Sequence, residues 1–311
     1  MSREAQQWRA HPEGAVFSDW TAPDGYVLRR MDWRQSEPSV ARGNLLFAGG
    51  RGDFIEKYLE AHAHWHAAGW NVTTFDWRGQ GRSQAGGRRE LDSFEPLIDD
   101  LAALIAEWRK GQAGPHAAIG HSMGGHLLLK CIVERRPALD AAVLVAPMIR
   151  VNSTPIPAWL APGLAETMCR IGMRARPMWK APPAMSRVGS QRQHNLTESA
   201  SRYEDELHWW EKEPRFNLGA PTWGWTRNAF RSADESFTDA KLAAVDLPIL
   251  ILAAARDRLV SAQATRRLAA ALPRAELHMF ADAAHEILRD ADPVRDDALA
   301  RVDAFLAGHA A

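Results

Sequence analysis

Hydrophobic positions in the first forty residues fall into two short extended runs, 16–20 and 26–33, with Pro23-Asp24-Gly25 between them. Proline presets one turn dihedral and glycine tolerates positive φ, so the pair reads as an antiparallel hairpin. Beyond residue 40 the pattern changes. Apolar runs of strand length alternate with stretches of helical spacing: 44–48 then 53–68, 70–76 then 94–110, 117–121 then 123–135, and 141–146. Strands separated by helix-length segments pair in parallel, so this alternation predicts a parallel sheet with crossover helices.

From 148 to 234 the rhythm gives way to a stretch rich in proline, methionine and tryptophan without strand spacing. It reads as an inserted helical cap. The β/α rhythm resumes with a strand at 248–254, a helix at 261–272, a strand at 275–280 and a closing helix at 293–306. The expected architecture is α/β: a mostly parallel eight-stranded sheet flanked by helices. Residues 1–147 and 235–311 form the core, and 148–234 the cap or lid.

Composition narrows the function. The 311 residues carry 38 Lys plus Arg against 38 Asp plus Glu, a net charge of zero, which gives no electrostatic case for binding nucleic acid. Cys131 and Cys169 make neither a disulfide framework nor a zinc-ligand spacing. The N-terminal stretch is polar, without the apolar core of a signal peptide. The longest apolar runs, 141–149 and 247–255, fall well short of the roughly 20 residues of a spanning helix. A cytoplasmic location is expected, and peripheral contact with the inner face of a membrane through the cap is compatible with it.

The candidate chemistry begins at Gly120-His121-Ser122-Met123-Gly124, between a small-residue strand and an amphipathic helix. A serine on such a strand-to-helix turn exposes its Oγ above the sheet, and the glycines avoid collisions with neighbouring backbone. Serine alone is a poor nucleophile, so a base and an orienting acid are required, in the chain order Ser, Asp, His. Asp257 follows the strand ending near 255 and His285 follows the strand ending at 280, so both lie at the sheet edge where sites of parallel α/β folds assemble. Asp246 precedes its strand and Asp282 shares the histidine's loop, so neither competes. His121 is assigned to packing around the turn. The cluster His62, His64 and His66 lacks HExxH spacing and reads as a partly solvated helix face. No metal site is expected.

With these residues in hand, the chain resembles the α/β-hydrolase superfamily, within it the monoglyceride-lipase-like and bacterial lysophospholipase branch (the serine aminopeptidase-like group). The more specific elements are Gly49-Gly50-Arg51-Gly52-Asp53-Phe54-Ile55-Glu56-Lys57-Tyr58, Asp76-Trp77-Arg78-Gly79-Gln80-Gly81-Arg82-Ser83, residues 120–125, and Gly219-Ala220-Pro221-Thr222-Trp223-Gly224-Trp225. Many relatives carry histidine where this chain has Gly49. The resemblance implies an oxyanion hole formed by the backbone amides of Met123 and Arg51, a structural role for loop 76–83, no cofactor, and hydrolysis of a single-chain lipid ester such as a lysophospholipid or monoacylglycerol. A general carboxylesterase or aminopeptidase-like hydrolase, with Glu204, Asp205 and Glu206 near a free amine, is the alternative. A non-catalytic binding member of the fold is a further one. Six of the 13 tryptophans fall in the cap, and Trp159, Trp223 and Trp225 are the expected substrate contacts there. The Arg51 side chain is expected to reach a polar or anionic head group.

Overall fold

The computed structural model of the chain describes residues 7–37, 41–83, 90–180 and 186–310. The expected hairpin is β1 (Ala15–Thr21) and β2 (Val27–Trp33), turning at Gly25, whose φ of 85° suits glycine. Then come β3 (Gly43–Ala48), β4 (Trp70–Phe75), β5 (His116–His121), β6 (Ala141–Val145), β7 (Ile249–Ala254) and β8 (Ala275–Phe280). They form one eight-stranded sheet in the order β1-β2-β4-β3-β5-β6-β7-β8, antiparallel at β1-β2 and β2-β4 and parallel at the other pairings.

The helices are α1 (Leu59–Ala67), α2 (Glu95–Trp108) and α3 (Met123–Arg135) before β6. Between β6 and β7 lie α4 (Ala161–Met168), α5 (Gln191–Leu196), α6 (Ala200–Lys212), α7 (Trp223–Ser236) and α8 (Asp239–Ala243). After β7 come α9 (Ala262–Ala271) and α10 (Asp292–His309). Strands β3, β5, β6 and β7 are buried along their whole length because helices cover both faces of the sheet. On β3, Leu45 and Phe47 join the layer with Trp65 of α1 and Phe305 of α10, while Leu46 and Ala48 join the layer with Leu101 of α2 and Leu127 of α3.

The single helix expected over 53–68 is corrected. Phe54 is extended (φ −141°, ψ 160°), Ile55–Tyr58 forms a 3-10 turn, and the α-helix begins at Leu59. Side chains hold the preceding segment out of helical register: Asp53 Oδ2 accepts from the Gly50 amide and Asp76 Oδ1 from the Ile55 amide. The partly solvated histidine face is corrected at His62 alone, since His64 and His66 are part-exposed. His62 is fully buried against Phe47 and Trp65, while His64 meets Asp303 and His66 stacks on Trp33. Among the described residues no group of three or more His, Cys, Asp or Glu side chains is arranged to hold a metal ion.

The strand order positions the site. From β3 the chain crosses to β4 on one side and later returns to β5 on the other, so the C-terminal ends of β3 and β5 border a topological switch point, where parallel sheets open a crevice. Loop 49–54 leaves β3 there, and Ser122 follows β5.

Candidate active site

Ser122 sits at φ 51°, ψ −114°, an unusual region for a residue with a side chain. Its amide donates to the Val145 carbonyl at 2.9 Å, and its own carbonyl accepts from the amides of His126 and Met148, so both flanking elements pin the turn. A Cβ on Gly120 would lie 2.7 Å from the Gly125 Cα, and one on Gly124 would run into the Ala48 and Gly49 carbonyls. Both glycines are therefore sterically required. Met123 opens α3, so its amide has no partner within the helix and the positive end of the helix dipole lies at Ser122.

His285 stands on the loop after β8 with its side chain 3% exposed; its Nε2 lies 2.9 Å from Ser122 Oγ and its Nδ1 2.6 Å from Asp257 Oδ2. The other Asp257 oxygen accepts from the Leu259 and Val260 amides at 2.8 and 3.0 Å, which fixes the carboxylate. Burial works to raise the Asp257 pKa, but the His285 charge, its hydrogen bond and the two amides outweigh burial and hold it below the ordinary value. Burial also works to lower the His285 pKa, and the Asp257 charge and hydrogen bond overcome it, leaving the imidazole above its ordinary value. With Nδ1–H directed at Asp257, Nε2 is left as an acceptor facing the Ser122 hydroxyl. The rival carboxylates are elsewhere: Asp282 pairs with Arg256 and Asp246 with Arg274, both exposed.

The loop after β3 lies against the serine. A Cβ on Gly50 would stand 3.0 Å from Ser122 Cβ and 2.9 Å from Asp53 Oδ2. The amides flanking Arg51 are engaged: Gly50 donates to Asp53 Oδ2 at 2.5 Å and Gly52 to Gln80 Oε1 at 2.6 Å. Gln80 Nε2 also approaches Met123 Sδ at 4.0 Å, so one side chain touches both segments that carry the expected oxyanion amides. Sequence reasoning gave loop 76–83 a structural role without assigning Gln80. A glutamine within a glycine-rich loop gives no spacing signal.

His121 does more than pack. Its Nδ1 lies 2.8 Å from Asp53 Oδ2 and 2.9 Å from the Tyr58 hydroxyl, and its ring centroid is 5.1 Å from that of His285. Behind it, Lys57 Nζ lies 2.8 Å from Asp53 Oδ1, 2.6 Å from Glu286 Oε1 and 3.3 Å from Glu206 Oε1, with every one of these side chains at most 5% exposed. Glu206 is held in turn by both terminal nitrogens of Arg192, and Glu286 by Arg289. One ammonium thus joins the loop after β3, the residue after His285, and helix α6. The motif containing Asp53 and Lys57 was legible, but its ionic partners 149 and 229 residues downstream of Lys57 were not.

The acidic run of α6 is occupied as well. Besides the buried Glu206, Asp205 pairs with Arg9 at 2.6 Å and Glu204 lies 3.8 Å from the same guanidinium. Of the three tryptophans expected at the substrate, Trp225 stacks under the Arg51 guanidinium, with the Cζ 5.2 Å from its ring. Trp223 packs against the cluster of Ala161, Ala165 and Phe230, and Trp159 is 81% exposed. The Arg51 guanidinium is directed to the segment between β6 and β7, donating to the Gly219 and Ala220 carbonyls at 2.9 Å each.

A serine on a strand-to-helix turn, with histidine and aspartate on the loops after later strands of a mostly parallel sheet, defines an α/β-hydrolase. The family described as Hydrolase_4, serine aminopeptidase, S33, matches residues 39–292, and the chain belongs to it. Its relatives include the lysophospholipase L2 of Escherichia coli, 28% identical over 97% of this chain and 89% of that protein. A probable lysophospholipase L2 of Haemophilus influenzae is 26% identical, covering 86% and 85% respectively. Among solved structures, a soluble variant of monoglyceride lipase from Saccharomyces cerevisiae superposes with a TM-score of 0.76 at 16% identity, over 97% of both chains. The monoacylglycerol lipase of Paleococcus ferrophilus gives 0.69 at 20% identity, over 90% of this chain and 98% of that one.

Proposed function

We propose that the protein hydrolyses carboxylic esters of single-chain lipids, a lysophospholipid or a monoacylglycerol, through an acyl-enzyme on Ser122. The observation that carries the reading is the unbroken chain of contacts from Ser122 Oγ to His285 Nε2 to Asp257 Oδ2, at 2.9 and 2.6 Å. His285 takes the hydroxyl proton as Ser122 Oγ attacks the ester carbonyl, and the Met123 and Arg51 amides face the developing oxyanion. Collapse of the tetrahedral intermediate expels the alcohol, which receives the proton from His285. Water then attacks the acyl-serine with His285 again acting as base, and the fatty acid leaves. The lipid class rests on the lysophospholipase and monoglyceride lipase relatives, and the engagement of Glu204, Asp205 and Glu206 in ion pairs speaks against an amine pocket there.

The residues between β6 and β7 act in this reading as a cap that meets a lipid surface. Five of the six exposed large hydrophobic side chains among the described residues, Trp159, Leu160, Ile171, Trp179 and Val188, fall within 30 residues of one another. Exposed Arg170, Arg176, Lys180 and Arg187 are interspersed, a combination suited to an anionic bilayer. No described helix is long and apolar enough to cross a membrane.

The test gives the purified protein a lysophospholipid and a monoacylglycerol with the same acyl chain and measures fatty-acid release. Release from at least one is expected, and the ratio assigns the head group. Turnover of a short activated ester with no release from either lipid would overturn the lipid assignment.

A further inference from the structure

We propose that the Arg51 side chain is a positioning device that ties its own backbone amide, one of the two expected oxyanion donors, to the seating of the helical insertion. The proposal rests on the hydrolase reading above and names how that site is controlled. Arg51 lies on the loop packed against Ser122, yet its guanidinium crosses to a segment 168 residues away, donating through Nη1 to the Gly219 carbonyl and through Nη2 to the Ala220 carbonyl, both at 2.9 Å. Its Cζ lies over the Trp225 ring, 5.2 Å from the centroid. Two bonds from a rigid fork, with an aromatic ring beside it, fix direction as well as distance, which a single flexible contact cannot do. Gly52, in a left-handed conformation at φ 78°, lies close to Leu218, so the loop and the insertion also meet beside the guanidinium.

The gripped segment is itself held by the part of the insertion that carries the exposed apolar side chains. The Met178 amide donates to the Pro221 carbonyl at 2.8 Å, Trp223 to Arg176 at 3.1 Å, and Gly224 to Arg174 at 2.9 Å. Ile171 and Trp179 flank these residues and are exposed. Residues 174–178, between the exposed Ile171 and Trp179, are therefore hydrogen-bonded to residues 221–224, and the two residues preceding these in the chain, Gly219 and Ala220, to the Arg51 guanidinium. The amide of Arg51 keeps its place against Ser122 while residues 219–220 are seated, and movement of the insertion is read as loss of an oxyanion donor. A contiguous network permits coupling, and mutation measures it.

The experiment compares wild type, Arg51→Ala and Arg51→Lys on a soluble short-chain p-nitrophenyl ester, which needs no lipid surface. It also measures inhibition by a trifluoromethyl ketone, whose adduct with Ser122 places an oxyanion in the hole. Every variant retains the backbone amide. The expected result for alanine is a fall in kcat of about tenfold or more, below the roughly 10²–10³ of complete donor removal, with KM within about twofold. The ketone inhibition constant should rise by the same factor. Lysine keeps the charge but not the fork or the stacking, and is expected to stay within about threefold of alanine. Thermal unfolding checks each fold, and Arg51→Met, which keeps the stem over Trp225, replaces alanine if that variant does not fold.

Unchanged kcat, unchanged ketone affinity, or full rescue by lysine would overturn the proposal, the last by showing that charge alone matters. If the wild type neither turns over the ester nor reacts with the ketone, the hydrolase reading itself fails and this inference falls with it. An active wild type with an indistinguishable alanine variant sinks this inference alone.

Discussion

In the proposed mechanism His285 has to be neutral to accept the Ser122 proton, and its Nδ1–H has to stay directed at Asp257. Because Asp257 outweighs burial and raises the His285 pKa above 6.5, kcat/KM should fall with decreasing pH along a single acid limb whose midpoint lies above that value. Asp257→Asn removes the charge that favours imidazolium, so the limb should move to lower pH, while kcat drops by about 10⁴ as the tautomer is lost. A pH–rate profile of the two proteins checks both. A limb that stayed in place would mean that a different group titrates. These three residues were legible in the chain because each follows a strand at the same edge of the sheet. His121 was only half legible: its place beside the serine suggested packing, whereas its bonds to Asp53 and Tyr58 depend on side chains from the loop after β3 and the 3-10 turn.

At the scale of elements, the strand-to-helix turn fits because its glycines let the start of α3 approach β3 and β5. Gly120→Val would push side-chain atoms into a space already 2.7 Å from the Gly125 Cα, and an overpacked core site costs about 1–3 kcal/mol. The thermal midpoint should drop and hydrolysis with it, since the displaced backbone carries Ser122; a variant as stable and active as wild type would contradict the steric account. The strands and most helices were readable because apolar periodicity records burial directly. The expected helix starts too early, since helical spacing over 53–68 does not disclose that Asp53 and Asp76 bind nearby amides and that Phe54 is extended.

Lys57 organises the molecule more widely, because it meets carboxylates from the loop after β3, the loop of His285 and α6, which lies between β6 and β7. Lys57→Met leaves three buried carboxylates without their shared cation, and breaking a buried pair in this way costs about 3–5 kcal/mol. Urea unfolding of the two proteins measures it; a loss below about 1 kcal/mol would mean that Arg289 and Arg192 already neutralise the cluster.

The same cluster sets the response to acid. Glu206 is held at about 2 against an ordinary 4.5: burial would raise it, but Arg192 and Lys57 overcome that. Asp53 and Glu286 are lowered too, by the Lys57 charge acting against burial. Groups depressed in the folded state stabilise it above their unfolded pKa and lose that contribution as they become protonated. For Glu206 the loss falls between about pH 4.5 and pH 2. Asp76 acts in the opposite sense. Burial raises it to about 6 despite Arg29, so its own contribution improves as pH falls toward 3.8. Unfolding free energies measured from pH 6 to 2 should decline most steeply below pH 4.5, and Glu206→Gln should flatten that decline. Only the local motif of Asp53 and Lys57 could be read from the chain, since the partners Glu206 and Glu286, far apart in sequence, leave no periodic trace.

The most direct test of the central assignment titrates the protein with a long-chain alkyl fluorophosphonate, then follows intact mass, the labelled peptide and lipid-ester hydrolysis in the same samples. The expected result is one phosphonyl group per chain, located on Ser122, with hydrolysis falling in proportion to labelling and no labelling of Ser122→Ala. Full activity in fully labelled protein, or a label on another residue that accounts for the lost activity, would contradict Ser122 as the nucleophile.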